Sequence, residues 1–119
     1  KNRHLSQVHE CEWAGLSCNS FSQIVAIEFE GNNVTGTIPS EISQLTSLQF
    51  ISLEKGKLSG EIPTSIGTLS YLQKLDLDFN ELSGTIPATF NNLANLKILD
   101  LNDNKLSGSF DTIGNLVNL

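Results

Sequence analysis

The residues best suited to chemistry in this chain of 119 residues are acidic, and they recur at a fixed spacing. Six of them fall on two positions of a 24-residue period: Glu28, Asp76 and Asp100 on one, and Glu30, Glu54 and Asp78 on the other. Carboxylates grouped in this way can receive a cationic peptide, a basic protein patch or divalent cations. Two closely spaced carboxylates could also act as the acid and the base of a retaining glycosidase.

Catalysis is disfavoured by what surrounds these carboxylates in the sequence. The two histidines, His4 and His9, lie far before the acidic positions, and no Gly-rich phosphate loop follows an apolar run. A shallow open surface would neither exclude water nor raise the pKa of one carboxyl. We therefore expect no enzyme activity, no cofactor and no bound metal.

Composition narrows the class of partner. Thirteen acidic residues against seven basic ones give a net charge of −6, which disfavours nucleic acid and anionic membrane surfaces. The longest apolar run, Ile24 to Ile27, is far shorter than the roughly 18 residues of a membrane span. We expect no membrane insertion by this segment, and the absence of an initial Met suggests a mature or cut polypeptide.

A repeat of 24 residues must position the acidic side chains. Its third copy reads LQKLDLDFNELSGTIPATFNNLAN. We assign the copies to residues 24–47, 48–71, 72–95 and 96–118, with Leu119 beginning a fifth. A unit of this size cannot bury its apolar side alone, so successive copies must stack.

Each copy predicts one coil of a solenoid. Leucines at alternate positions, such as Leu75 and Leu77, indicate a short strand. The Ile-Pro that follows in three copies excludes a central helix, and the spacing of Ile66 and Leu69 predicts one helical or 3₁₀ turn. The apolar residues of the strands should form interior columns.

Asparagines follow three of the predicted strands, at Asn32, Asn80 and Asn104. Pointing inward, they could hydrogen-bond backbone groups of neighbouring coils that no regular strand pairs. We expect a structural ladder of asparagines. Gly56 takes this position in the second copy, so one rung is missing there.

The consensus L-x-x-L-x-L-x-x-N-x-L-S-G-x-I-P-x-x-I-x-x-L resembles the plant-type leucine-rich repeat over residues 24–119. The stretch from Cys11 to Cys18 is similar to the C-x-W-x-G-x-x-C of that family's N-terminal cap, which assigns residues 1–23 to a cap. The resemblance implies an α/β solenoid, a right-handed superhelix with a parallel β-sheet on its concave face and short 3₁₀ or helical turns on its convex side. It also implies a second short strand near Leu-Ser-Gly-x-Ile, which Phe110 and Asp111 put in doubt in the fourth copy.

The cysteines and one asparagine fit a secreted protein. Cys11 and Cys18 flank a short loop beside Trp13, and we expect a disulfide that fixes the cap. A metal site with His4 and His9 is the weaker alternative, because the ligand spacing is wrong. Asn33 begins the sequon Asn-Val-Thr, a glycosylation candidate unless Val-Thr merely fills the Leu-Ser position.

Function in such a solenoid belongs to side chains that point out of the concave sheet. The binding candidates are Glu28, Glu30, Phe50, Glu54, Lys74, Asp76, Asp78, Phe79 and Asp100. Two bland alternatives stay open: the carboxylates are solvated and partly neutralised by lysines, and the two phenylalanines only cover neighbouring strand side chains.

We predict an extracellular or cell-surface recognition module without catalytic activity, part of a receptor-like ectodomain that binds a protein or peptide ligand, basic ligands being favoured by charge. One alternative is a secreted inhibitor of a polysaccharide-degrading enzyme, similar to polygalacturonase inhibitors. Another is a structural or adhesive subunit. The apolar edge of the fourth coil should be covered by further repeats or a partner chain, and residues 1–119 alone should tend to associate.

Overall fold

The computed structural model describes residues 11, 15–29, 31 and 34–108. A five-stranded sheet forms the concave face, with the order β1 (Leu16–Cys18), β2 (Ile24–Glu28), β4 (Phe50–Ser52), β6 (Lys74–Asp76) and β8 (Ile98–Asp100). A second, four-stranded sheet contains β3 (Thr35–Thr37), β5 (Lys57–Glu61), β7 (Glu81–Thr85) and β9 (Lys105–Ser107). Three 3₁₀ helices complete the coils, at Ser40–Gln44, Thr64–Thr68 and Ala88–Asn92. The predicted solenoid is confirmed, and the turns of the convex side are 3₁₀ rather than α-helical.

The two sheets differ in the register with which their strands pair. In the concave sheet, β2, β4, β6 and β8 run parallel and pair equivalent repeat positions, so that Ile51 lies beside Leu75. In the second sheet, Ser59 pairs with Glu81 rather than with the equivalent Ser83. Residues 24 positions apart therefore pair with each other in the concave sheet but not in the second sheet.

The core lies between the sheets and the 3₁₀ helices. Its fully buried side chains include Leu48, Leu72, Leu75 and Leu96, together with Phe90 from the third 3₁₀ helix. Burying each such side chain stabilises the fold by about 1.5–3 kcal/mol. The alternating apolar positions of each copy therefore fix which side chains remain outside for recognition.

A cap strand covers one end of the concave sheet. Strand β1 pairs antiparallel with β2, and a disulfide joins Cys11 to Cys18, which confirms the predicted pair. Gly15 has a φ of +89° and its carbonyl accepts a hydrogen bond from the Glu28 amide at 2.7 Å. A side chain at Gly15 would overlap the Phe29 ring, so this approach requires glycine. Trp13 lies outside the described residues.

The predicted asparagine ladder has two described rungs. Asn80 Nδ2 donates to Leu53 O at 2.8 Å and to Leu77 O at 3.0 Å, while Asn80 Oδ1 accepts from Leu58 N at 3.0 Å. Asn104 repeats these bonds one coil later. Asn32 lies outside the described residues.

Gly56 takes the ladder position in the second copy, where the rung is missing. Asn80 Oδ1 would lie only 3.0 Å from a Cβ built on Gly56, so it would crowd a side chain there. Lys57 N donates to Val34 O at 2.8 Å, so the pairing of β3 with β5 continues beside this position.

Across the described residues, no helix has the length and apolar character that a membrane crossing requires.

Candidate recognition site

The carboxyl ends of the concave strands hold the predicted acidic residues in place. Glu54 and Asp78 lie two residues beyond β4 and β6, yet their backbones remain paired across the coils. Gly31 N donates to Glu54 O at 3.1 Å, and Lys55 N donates to Asp78 O at 2.9 Å. Backbone pairing that outlasts the strands gives this edge of the sheet a fixed geometry.

Three carboxylates converge at this edge. Glu54, Asp76 and Asp78 each place a carboxylate oxygen within 4.8 Å of the other two, and we name them the acidic cluster. Asp76 is only 9% exposed, and its Oδ1 accepts a hydrogen bond from Asp78 N at 3.2 Å. Asp100 makes the same bond to Asn102 N at 3.1 Å one coil later. A local backbone turn therefore orients each of these aspartates.

The pKa values of the two aspartates in the acidic cluster are shifted in opposite directions. Burial, the Asp76 carboxylate and the Asp100 carboxylate together raise the pKa of Asp78 to about 6. Burial also raises the pKa of Asp76, but hydrogen bonding with Glu54 and Asp78 and the charge of Lys74 outweigh it and lower that pKa below 3.8. Asp78 Oδ1 is buried and accepts no hydrogen bond from the described residues. Asp76 thus remains ionised while Asp78 readily takes up a proton.

One expectation from the sequence is wrong at this point. An open sheet was expected not to raise a carboxyl pKa, yet burial and the neighbouring carboxylates of Asp76 and Asp100 raise the pKa of Asp78. The open alternative of solvated carboxylates does not hold for Asp76, which is largely buried on the inner strand β6 and close to the carboxylates of Glu54 and Asp78. The sequence also placed Glu54 and Asp76 in separate columns, which the structure brings together.

Phe79 lies next to the acidic cluster. Its side chain is 50% exposed, and its backbone has a φ of +55°. The same left-handed conformation recurs at the equivalent residues Gly31, Lys55 and Asp103. A bulky aromatic residue is costly in this conformation, and half of its side-chain surface is open to solvent. Phe79 is therefore suited to contact a partner.

The other predicted binding residues are spread over the sheet. Phe50 is half-buried on β4, where its backbone pairs with Ala26 and Lys74 of the neighbouring strands. Glu28 is exposed but separated from Asp76 by Ser52, and Asp100 is half-buried on β8. Glu30 and Asn33 lie outside the described residues. The described site is centred on the acidic cluster and Phe79.

Sequence reasoning did not single out the aromatic residues at the opposite edge. Tyr71 is 61% exposed just before β6, and Phe21 is 81% exposed in the turn between β1 and β2. The signal was present, since Tyr71 replaces the small polar residues Ser47 and Asn95 at the equivalent position of other copies.

The acidic cluster offers oxygen ligands, but nothing else among the described residues points to a metal. The spacing of 4.8 Å would let a divalent cation bridge the three side chains. Surface carboxylates are common without an ion, and the expectation of no metal stays a prediction. A glycosidase pair would need an enclosing cleft, and four clefts of the described surface are lined by other residues.

Comparisons with known proteins agree with the architecture. A leucine rich repeat family model matches residues 70–119. A probable leucine-rich repeat receptor-like protein kinase of Arabidopsis thaliana is 40% identical over 42 residues, which cover 35% of this chain and 4% of the relative. The chain thus spans a small fraction of the curated relatives it matches.

Solved structures extend the similarity to nearly the whole chain. The ectodomain of the Arabidopsis thaliana receptor kinase SOBIR1 superposes with a TM-score of 0.86 and 33% identity, covering 92% of this chain and 64% of that one. The plant peptide hormone receptor RGFR1, solved in complex with RGF2, gives a TM-score of 0.81 and 36% identity over 92% of this chain and 20% of that one.

Repeating coils, two sheets of mostly parallel strands and an asparagine ladder define a leucine-rich-repeat solenoid. The family match over residues 70–119 and these neighbours agree with this fold, and the chain is similar to the ectodomains of plant receptor kinases.

Proposed function

We propose that this chain is a non-catalytic recognition module of an extracellular, receptor-like ectodomain. It binds a peptide or protein segment with basic side chains at the carboxyl edge of the concave sheet. The observation that carries this function is the acidic cluster, three carboxylates within 4.8 Å beside the half-exposed ring of Phe79.

The chemistry of the cluster favours a guanidinium group. Asp76 is ionised, largely buried and held by a backbone amide, so it supplies a fixed negative charge, while a planar donor fork would reach the less buried carboxylates of Glu54 and Asp78. A cation placed between Asp76 and Asp78 would also relieve the repulsion between them. The Phe79 ring can cover the aliphatic stem of such a side chain or stack on its guanidinium.

Similar proteins support the same reading. RGFR1 is a plant peptide hormone receptor, and SOBIR1 is a receptor kinase whose ectodomain has this fold. The secreted inhibitor and the structural subunit have no specific observation in their favour and stay predictions. Coverage of the apolar edge of the fourth coil by further repeats or a partner chain also stays a prediction.

A matched pair of peptides tests the proposal. An acetylated, amidated peptide Gly-Arg-Gly-Arg-Gly-Tyr and its version with Glu for Arg are titrated into the chain at pH 7.5 and low salt, with affinity read by calorimetry. The arginine peptide should bind, and binding should weaken as salt screens the charges. The glutamate peptide should not bind.

Three variants locate the binding. Asp78→Asn and Phe79→Ala should each weaken the arginine peptide by about 5-fold or more. Glu81→Gln removes the same charge from the second sheet and should leave affinity unchanged. Equal effects of Asp78→Asn and Glu81→Gln would show only diffuse charge attraction and would reject the site.

A further inference from the structure

A second concave feature lies at the opposite edge of the concave sheet, where the strands begin. It is a groove of about 370 Å³, and its described lining is formed by Asn19, Gln23, Ser47, Gln49 and Tyr71. The turn between β1 and β2 supplies the first two residues, and the segments leading into β4 and β6 supply the others. None of these five side chains is charged.

Hydrogen bonds hold the amides of the groove in place. Asn19 Oδ1 accepts from Phe21 N at 2.9 Å and from Gln23 N at 3.1 Å, which closes the turn. Asn19 Nδ2 then donates to Gln23 Oε1 at 3.0 Å. Because the turn sets the Asn19 side chain, it also sets the direction of the Gln23 amide.

A similar contact orients Gln49. Its Oε1 accepts from Gln73 Nε2 at 3.4 Å, and the backbones are joined by Gln73 N donating to Gln49 O at 2.7 Å. Each lining glutamine therefore uses its oxygen within the protein and keeps its Nε2 for a ligand. Within the described part of the chain, neither Nε2 has an acceptor, and the hydroxyls of Ser47 and Tyr71 are also unengaged.

Tyr71 adds an aromatic wall to these donors. Its side chain is 61% exposed, so the ring face is available although it lies beside two amides. Aromatic faces with adjacent polar groups suit ligands that have apolar C–H faces and polar edges. Pyranose rings have this character, since axial C–H groups form one face and hydroxyls surround the ring.

The groove continues into a smaller cleft of about 230 Å³, which shares Gln23 and Ser47 with it. Its further described lining, Ser22, Ile24, Gln44, Leu45 and Thr46, is also uncharged. Together the two clefts can hold a ligand longer than one ring. A charged polymer would find no countercharge in either lining, whereas a neutral chain of hydroxyls would meet amide and hydroxyl donors throughout.

We infer that this amino-edge groove is a binding site for a neutral oligosaccharide. The Tyr71 ring stacks on one sugar, and the free amides of Gln23 and Gln49 donate to neighbouring hydroxyls. The site is separate from the acidic cluster, which lies beyond the other ends of the same strands, and it does not depend on the function proposed for that cluster.

Cellohexaose tests this inference on the full chain, with binding followed by nuclear magnetic resonance or calorimetry. Saturable binding is expected with a dissociation constant of about 1 mM, typical of a shallow site with few hydrogen bonds. A hexamer of galacturonic acid and an acetylated hexapeptide of Gly and Ser serve as comparison ligands, and both should bind at least about 5-fold more weakly.

Point variants separate the groove from the rest of the surface. Tyr71→Ala should weaken cellohexaose binding about 10-fold, while Tyr71→Phe keeps the ring and should cost about 2-fold. Phe21→Ala removes another exposed aromatic that does not line the groove and should change nothing. Asp78→Asn should also leave cellohexaose binding intact.

Several results would overturn the inference: no saturation by cellohexaose up to 20-fold above about 1 mM, equal losses from Tyr71→Ala and Phe21→Ala, or preferred binding of the galacturonate or the peptide. If the parent chain binds cellohexaose but does not bind the arginine peptide, only the function proposed for the acidic cluster is rejected.

Discussion

The two edges of the concave sheet are built from the same repeat but have different chemistry. At the carboxyl edge, Glu54, Asp76 and Asp78 concentrate charge, and the backbone there is braced by the asparagine ladder. At the amino edge, Gln49 and Tyr71 line a neutral groove whose amides are oriented by side-chain contacts and by backbone hydrogen bonds such as that of Gln73 N to Gln49 O. Strands of three residues separate these edges by only about 10 Å.

The difference shows how a repeat protein divides its positions. Interior leucines are nearly invariant from copy to copy because every coil must stack. The residues that flank each strand are free to vary in type, since they carry little of the core. Different partners can therefore be accommodated on one rigid face without changing the fold.

The largest loss of stability is expected when a residue of the asparagine ladder at the carboxyl edge is removed. Asn80→Ala leaves the Leu58 amide and the Leu53 and Leu77 carbonyls without their side-chain partner. We expect a loss of about 3 kcal/mol in the free energy of unfolding, measured by urea denaturation. Asn102→Ala, an exposed change nearby, should cost under about 0.5 kcal/mol; similar losses in both would remove the special role of the ladder.

Of the two edges, only the carboxyl edge should make the stability of the chain depend on pH. Asp78 has a pKa of about 6 in the folded chain against an ordinary 3.8, so folding favours its protonated form. Its contribution to stability is fully present below pH 3.8 and is lost as the pH rises to about 6. With solvent screening, this amounts to about 1 kcal/mol.

Asp78→Asn should therefore remove the decline in stability between pH 4 and pH 7, leaving the variant about 1 kcal/mol more stable than the parent at pH 7 and similar at pH 4. Urea denaturation at both values gives the result. Asp103→Asn should keep the parent's decline. A decline that survives in Asp78→Asn would place the titrating group elsewhere.

A residue better suited to the left-handed backbone at position 79 should raise stability and weaken binding. Phe79→Gly removes a bulky residue from a φ of +55°, and we expect a gain of about 0.5 kcal/mol in stability with weaker binding of the arginine peptide. A loss of stability above about 1 kcal/mol would mean that the ring serves packing instead. Thermal melting and calorimetry on one preparation measure both effects.

The smallest effect is expected at the amino edge. Gln49→Ala removes one weak amide contact, 3.4 Å from Gln73, and should change stability by less than about 0.5 kcal/mol. Cellohexaose binding should fall several-fold in the same variant. A large loss of stability would show that the glutamines support the solenoid, as the asparagines do.

Much of the architecture follows from the sequence because stacking imposes strict periodicity. Alternating leucines such as Leu75 and Leu77 predict the concave strands, and Ile-Pro followed by Ile66 and Leu69 predicts the 3₁₀ turn. The offset between Ser59 and Glu81 in the second sheet is different. It depends on how coils twist past one another, which no pattern within a single copy encodes.

The sites were predictable only in part. The two acidic columns could be read from the 24-residue spacing, but their convergence depends on where the Glu54 side chain bends after leaving β4. The raised pKa of Asp78 depends on distances among carboxylates rather than on residue types. The amino-edge groove joins the cap turn to the first and second copies, so the pattern of the repeats alone does not reveal it.

Amide chemical shifts of the 119-residue chain, mapped during titration with the arginine peptide, would locate the recognition site on the concave sheet. We expect shifts concentrated at Glu54, Asp76, Asp78 and Phe79, with Gln49 and Tyr71 unaffected. Shifts spread evenly over both sheets, or centred on the amino edge, would contradict a recognition site built from the acidic cluster.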